Sequence, residues 1–178
     1  QTDYRQYATL AANAPAAVTP EQAAVWSYPL TDGDEEETIF NMVNAMLLRI
    51  HQSGHLVNLN SARFALVKEG IACYKSIRQD IRRAVPFWPL GLSSYGDSWV
   101  SLGLKAGNKN YIAVWRSDSG NDTCLLPISH LRGKDASVKC LYPQNAACRC
   151  AWHKESGELA VELPVNISAR LFEVSANE

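Results

Sequence analysis

Few side chains in this 178-residue chain are typed and spaced for chemistry. The carboxylates that stand apart from the acidic run Asp34-Glu35-Glu36-Glu37 include Asp3, in QTDYRQYATL, and Glu21, in TPEQAAVWSYP. A retaining glycosidase needs two carboxyl groups about 5 to 5.5 Å apart across the scissile bond. Asp3 precedes the small-residue stretch Ala23-Ala24-Val25-Trp26 where one such group would stand, and the sequence offers it no partner. His51 and His55 are four apart, the spacing of two ligands on one helix face, but Gly54 between them reads as a helix end and no metal site is assigned. The five cysteines lack C-x-x-C spacing. They read as free thiols buried as small hydrophobes, with a bridge from Cys124 or Cys140 to a neighbouring strand as the alternative. No Gly-rich phosphate loop, H-E-x-x-H, G-x-S-x-G or EF-hand pattern occurs, and no cofactor is implied.

A net charge of -1 leaves no electrostatic footprint for nucleic acid or anionic lipid. The apolar runs are a few residues long, against the roughly 20 that span a bilayer. Neither nucleic acid nor membrane is therefore an expected partner. Asn121-Asp122-Thr123 and Asn166-Ile167-Ser168 are glycosylation sequons that permit a secretory route. Secreted and cytoplasmic locations both stand.

The elements that must position these groups change character along the chain. Pro15, Pro20 and Pro29 divide the first 30 residues into a helix near Tyr4 to Asn13 and an extended stretch from Gln22 to Tyr28, which suits a buried parallel strand. Asp34 with Glu37 has capping-box spacing, and the recurrence Ile39, Met42, Val43, Met46, Ile50 predicts a helix running to residue 50. Asn60 or Ser61 caps a second helix, with Phe64, Val67, Ile71, Tyr74 and Ile77 on its packed side and Arg63, Lys68, Lys75 and Arg78 on the other. Pro86 and Pro89 mark its end. From Ser98 the period becomes two, which predicts seven short strands between Trp99 and Val174, separated by Gly/Asn-rich turns, in an antiparallel sandwich. The fold class is thus α/β plus all-β.

The order TPEQAAVWSYP, FNMVNAMLLRIHQSGHL, ALVKEGIACYKSIRQDI, PFWPLG and a terminal sandwich resembles the C-terminal portion of glycoside hydrolase family 36, the α-galactosidases or melibiases. The resemblance implies that residues 1–92 are the last units of a (β/α)8 TIM barrel and residues 93–178 the C-terminal β-sandwich. It implies a parent enzyme that hydrolyses terminal α-linked galactose with retention, so the expected partner is an α-galactoside oligosaccharide; a homo-oligomer is compatible with it. The family's acid/base aspartate stands in a motif Ser-Asp, then Asn or Gln, then Thr-Asp. By that resemblance neither catalytic group lies in this chain: the acid/base is expected immediately before Gln1, Thr2 follows it, Asp3 is the trailing aspartate, and the nucleophile lies farther upstream. Asp3 then orients the acid or binds a sugar hydroxyl, or caps the following helix. Glu21, Gln22 and Trp26 are expected where the last barrel strands approach the substrate mouth, with Trp26 near a place where the family often carries Gly-Ala-His. A second reading, from the aromatic residues Trp99, Tyr111, Trp115, Tyr142 and Trp152, is a non-catalytic carbohydrate-binding or interaction sandwich.

Overall fold

The computed structural model describes residues 3–177. Helix α1, Tyr4–Asn13, begins where the Asp3 carboxylate accepts the backbone N–H of Arg5 at 2.9 Å, and Pro15 follows it in a short 3-10 turn. Strand β1, Ala24–Ser27, runs parallel to β2, Arg49–Gln52, with Trp26 opposite His51. Between them lies helix α2, Glu35–Met46. Its N-cap Asp34 accepts the N–H of Glu37 at 2.8 Å, and Glu35 to Glu37 sit on the positive end of the helix dipole.

The helix predicted to reach Ile50 is four residues shorter. Leu47 and Leu48 are as buried as the helix before them, so the apolar pattern carries no stop signal. What ends it is tertiary: the Arg49 N–H donates to Ala23 O at 3.0 Å and opens the β1–β2 ladder. Gly54, read as a helix end, follows β2 with a φ of +92°.

Helix α3, Ser61–Ile81, is capped by Asn60, whose side chain accepts the N–H of Arg63 at 2.9 Å. Its packed stripe is rotated from the expected one. Arg63, Val67, Gly70, Ile77 and Ile81 are buried, whereas Phe64 is 43% exposed. Arg63 tolerates burial because all three guanidinium nitrogens are engaged: Nε donates to Thr38 Oγ1 at 2.7 Å, Nη1 to Thr31 O at 3.1 Å, and Nη2 to Leu30 O at 2.5 Å and Glu37 Oε2 at 2.8 Å. Glu37 Oε1 accepts the Leu30 N–H at 3.0 Å and also the Asn41 amide. The β1–α2 loop is thereby tied to both helices. Burial raises the Glu37 pKa despite the opposing hydrogen bonds and the Arg63 charge, so this pair is a constraint on geometry more than a source of stability.

All seven strands read after Ser98 are present: β4 Trp99–Ala106, β5 Lys109–Arg116, β6 Thr123–Pro127, β7 Ala136–Tyr142, β8 Arg149–His153, β9 Glu158–Glu162 and β10 Ser168–Ala176. One strand was not expected, β3 at Val85–Phe87, which pairs antiparallel with β4. Pro86 hides it from propensity, but an edge strand accepts proline, and the Phe87 ring fills the space that a Cβ on Gly103 would occupy. β3 lies before residue 92 yet belongs to the same sheet as β4.

The larger sheet has the order β3-β4-β5-β10-β7 and the smaller β6-β9-β8. Val100, Leu102, Leu104, Tyr111, Ala113, Trp115, Ala169 and Leu171 face the helices in one core. Ile112, Val114, Phe172 and Val174 meet Leu126, Leu159 and Val161 of the smaller sheet in a second. The architecture is a mixed α/β chain with an antiparallel sandwich, stacked helix layer, sheet, sheet. The fully buried Arg170 of β10 joins the layers: Nη1 and Nη2 donate to Glu36 Oε2 and Oε1, each at 2.7 Å, and further to Ala169 O and Ala147 O.

At the edge near β3, His130 Nε2 meets Asn110 Oδ1 at 2.6 Å, and its ring stands edge-on to Phe87 at 5.0 Å. Burial, with Lys105 and Lys134, holds its pKa below the ordinary 6.5. The folded state favours neutral His130, so the unfolded chain binds more protons as pH drops below 6.5. Stability is expected to be full above that value and to decline through the window down to the lower folded pKa; in urea titrations at stepped pH, His130→Gln should flatten that decline. Arg63→Ala, which strands buried Glu37, should lower the unfolding free energy by about 3 to 5 kcal/mol at pH 7. Arg63→Lys should recover only part, because one ammonium cannot reach the same acceptors; a loss below about 1 kcal/mol for the alanine variant would refute this role.

Candidate functional site

Strand β1 alternates between two environments. Val25 and Ser27 point into the core, where Ser27 Oγ donates to Met42 Sδ at 3.2 Å, so Ala24 and Trp26 occupy the opposite face. That face is open, and Trp26 is 56% exposed on it. The parallel register sets His51 of β2 beside Trp26, their rings 5.3 Å apart and at 88° to one another. Tyr7 of α1 reaches the same place from below the sheet edge, its hydroxyl accepting the Trp26 N–H at 3.4 Å. Tyr28, just past β1, is partly exposed and packs against Gly54, whose positive φ and closeness to Pro29 O exclude a larger residue. The strand pair therefore presents an indole and an imidazole on a bare sheet face, an apolar wall next to a hydrogen-bonding ring nitrogen. A polyhydroxylated ring can use both.

The three residues expected at the substrate fall in different places. Trp26 is on the open face. Asp3 caps α1 and lines a cleft of about 230 Å³ with Arg5, Tyr95, Asp97 and Asp118. Burial raises its pKa, but the hydrogen bonds and charge of Arg5, with Nε 3.3 Å away, outweigh it and hold the carboxyl below its ordinary value. Asp3 is thus an ionised helix cap at the rim of a polar cleft. Glu21 accepts from Thr19 Oγ1 at 2.7 Å and lines a separate cleft of about 380 Å³ with Arg49, Tyr74, Arg78 and Arg82. This cleft lies at the N-terminal ends of β1 and β2, away from Tyr28 and Ser53 at their C-terminal ends. Gln1 and Thr2, expected from the resemblance to be the middle residues of the aspartate motif, lie outside the described residues.

The imidazole was legible only as half of a helical His pair. His51 lies on a strand, and His55 precedes a 3-10 turn at Leu56–Asn58, so no helix face unites them. Among the described residues no group of three or more His, Cys, Asp or Glu is arranged to hold a metal ion. No helix among them is long and apolar enough to cross a membrane. The aromatic residues of the sandwich mostly serve the core: Tyr111, Trp115 and Tyr142 are buried, and Trp152 is half-buried with Nε1 donating to Lys134 O at 2.9 Å. The two sequons differ. Asn121 sits in an exposed turn, whereas Asn166 is bonded to Asp118 and Ser119, and the hydroxyl of buried Ser168 donates to Val165 O at 2.6 Å.

Neither a family model nor a curated protein matches this sequence. Solved structures do match the fold. A glycoside hydrolase family 36 α-galactosidase variant from Geobacillus stearothermophilus, in complex with raffinose, superposes with a TM-score of 0.73 at 11% identity, over 99% of this chain and 25% of its own. The galactosidase domain of an α-galactosidase–sucrose kinase gives 0.71 at 13% identity, over 99% and 25%. A putative α-N-acetylgalactosaminidase from Bacillus halodurans gives 0.54 at 11% identity, over 80% and 32%. The chain spans about a quarter of the length of the first two. It has the fold of the C-terminal region of family 36 α-galactosidases.

Because Trp26 touches little of the core, Trp26→Ala is expected to change stability by no more than about 0.5 kcal/mol. Val25→Ala, one residue earlier on the inward face, is expected to cost about 2 kcal/mol. Equal losses in denaturant titrations would mean that the open face is not open in solution.

Proposed function

We propose that this chain is the C-terminal part of an α-galactosidase-like glycoside hydrolase, with residues 1–92 in the last units of a (β/α)8 barrel and residues 93–178 in the accessory sandwich. The observation that carries the reading is the β1–β2 pair. Parallel sheets are normally covered on both faces, and two strands alone make a poor sheet. Here one face is bare, and the outer N–H of Trp26 bonds to a tyrosine hydroxyl instead of another strand. Further barrel strands would cover that face and pair that edge. The fold likeness to α-galactosidases over nearly the whole chain points the same way.

In a barrel of this kind the substrate sits at the C-terminal ends of the strands. Helix N-termini that follow those ends belong on the same side, so on this reading the Asp3 cap would be expected near the mouth. Trp26 would then contribute an apolar wall to the galactoside subsite, held by His51. Asp3 would orient the acid/base aspartate or bind a sugar hydroxyl. Glu21, at the opposite ends of the strands, is the weakest of the three for sugar contact. The full-length protein would cleave terminal α-linked galactose by double displacement, with both carboxyl groups supplied outside this chain.

The test is hydrolysis of an aryl α-galactoside by the full-length protein. Turnover with retained configuration is expected, and Trp26→Ala should raise KM about tenfold while the fold is unchanged, the loss of roughly 1.4 kcal/mol of binding. Residues 1–178 alone should be inactive. The reading fails if the full-length protein turns over no aryl α-glycoside, or if residues 1–178 are themselves active.

A further inference from the structure

Three arginines line the cleft of about 380 Å³ at the N-terminal ends of β1 and β2. Arg49 is the first residue of β2, and its backbone N–H is held by Ala23 O at 3.0 Å. Arg78 lies in the last turn of α3 and Arg82 is its C-cap, four residues on and therefore on the same side of the helix. None of the three guanidinium groups makes a hydrogen bond or an ion pair among the described residues. The carboxylates of the same segments are engaged elsewhere. Asp80 Oδ2 accepts the Tyr111 hydroxyl at 2.6 Å, and Glu21 Oε1, in the cleft wall, accepts from Thr19 Oγ1 at 2.7 Å. The cleft thus sets three positive charges against one negative.

Helix-dipole complementation accounts for only part of this. Cations suit the C-terminus of a helix, which covers Arg78 and Arg82. Arg49, however, arrives from a strand, and none of the three bonds to a terminal carbonyl of α3. Like charges gathered in one concavity repel each other, a cost that a bound anion removes. The remaining wall is suited to a ligand as well: Tyr74 is half-buried there, and Gln79 offers an amide.

We propose that this cleft binds a phosphate monoester of a small hydroxylated molecule, with Arg49, Arg78 and Arg82 holding the phosphate and Glu21 accepting a hydrogen bond from a hydroxyl of the remainder. A guanidinium fork matches phosphate oxygens two at a time, as an ammonium does not. Glu21 decides between bare phosphate and an ester. Its charge would repel an inorganic anion, whereas its Oε2, without a hydrogen bond among the described residues, is an acceptor for a neighbouring hydroxyl. The volume falls within the range of about 300 to 1,000 Å³ usual for small-molecule sites. The site uses neither Trp26 nor Asp3, and it is independent of the galactosidase reading.

The experiment is calorimetric titration of the full-length protein, at low ionic strength, with glucose-6-phosphate and separately with inorganic phosphate. The ester is expected to bind at least about tenfold more tightly than phosphate, the worth of one charge-assisted hydrogen bond. Arg78→Gln and Arg82→Gln should each weaken ester binding by about tenfold, and Arg78→Lys should recover only part of that loss. Arg83→Gln removes the same charge from an exposed neighbour outside the cleft, where only the screened field acts, and should change affinity by no more than about twofold. Glu21→Ala should erase the advantage of the ester over phosphate. Thermal unfolding of each variant checks that the fold is kept. The proposal is overturned if the ester does not bind, if phosphate binds as tightly, or if Arg83→Gln costs as much as Arg82→Gln. Each of those results leaves galactoside turnover untouched, and a protein without such turnover could still bind the ester.

Discussion

Strands β4, β5 and β10 are dry on both sides, and that constraint dictates most of what surrounds them. A sheet with two buried faces needs apolar cover above and below, so the helices and the smaller sheet are two halves of one requirement. Burial also makes polar side chains in it costly unless most of their groups find partners within the protein. Arg170, near the middle of this sheet, is accommodated because Glu36 meets it with both oxygens and two carbonyls take further donors. The ion pair thereby fixes where α2 sits on the sheet. The Arg63–Glu37 network, one residue further along α2, fixes where the β1–α2 loop and α3 sit on that helix. Two adjacent glutamates in the acidic run at the start of α2 thus look in different directions and hold different neighbours. Their first role, as dipole-complementing residues, is the smaller one.

Much of the fold was legible because local signals agreed with tertiary needs. Asp34 and Asn60 cap the helices they were read to cap, and α1 spans the residues it was read to span. The seven strands after Ser98 were legible from alternation and turn residues. What escaped was decided by partners distant in sequence. Nothing in Leu47-Leu48 says that a helix ends there, since the pairing with Ala23 comes from another segment. Arg63 looked like a solvent residue because a lone arginine on a helix usually is one, and its acceptors on Leu30, Thr31 and Glu37 lie about thirty residues back. β3 was masked by the proline that an edge position tolerates.

The candidate site was legible unevenly for the same reason. Trp26 could be picked out as an aromatic residue in a small-residue strand, and it is the best exposed of the three sugar-contact candidates. Its companion His51 could not, because the pairing arises from the register of two strands separated by a helix. Asp3 and Glu21 were placed by sequence order, which does not tell the two ends of a strand pair apart.

The position of β10 also governs the order in which the chain can be built. Among the described residues it is the last strand in sequence, yet in the larger sheet it lies between β5 and β7, and it carries Arg170, the arginine that anchors α2. During synthesis the strands on either side of it, and the helices above, must wait with an unfilled slot between them until residues 168–176 emerge from the ribosome. A translation stop anywhere before Ser168 therefore leaves two sheet edges and two apolar faces without cover. Such a product is a substrate for chaperones and proteases rather than a slightly shortened version of the same domain.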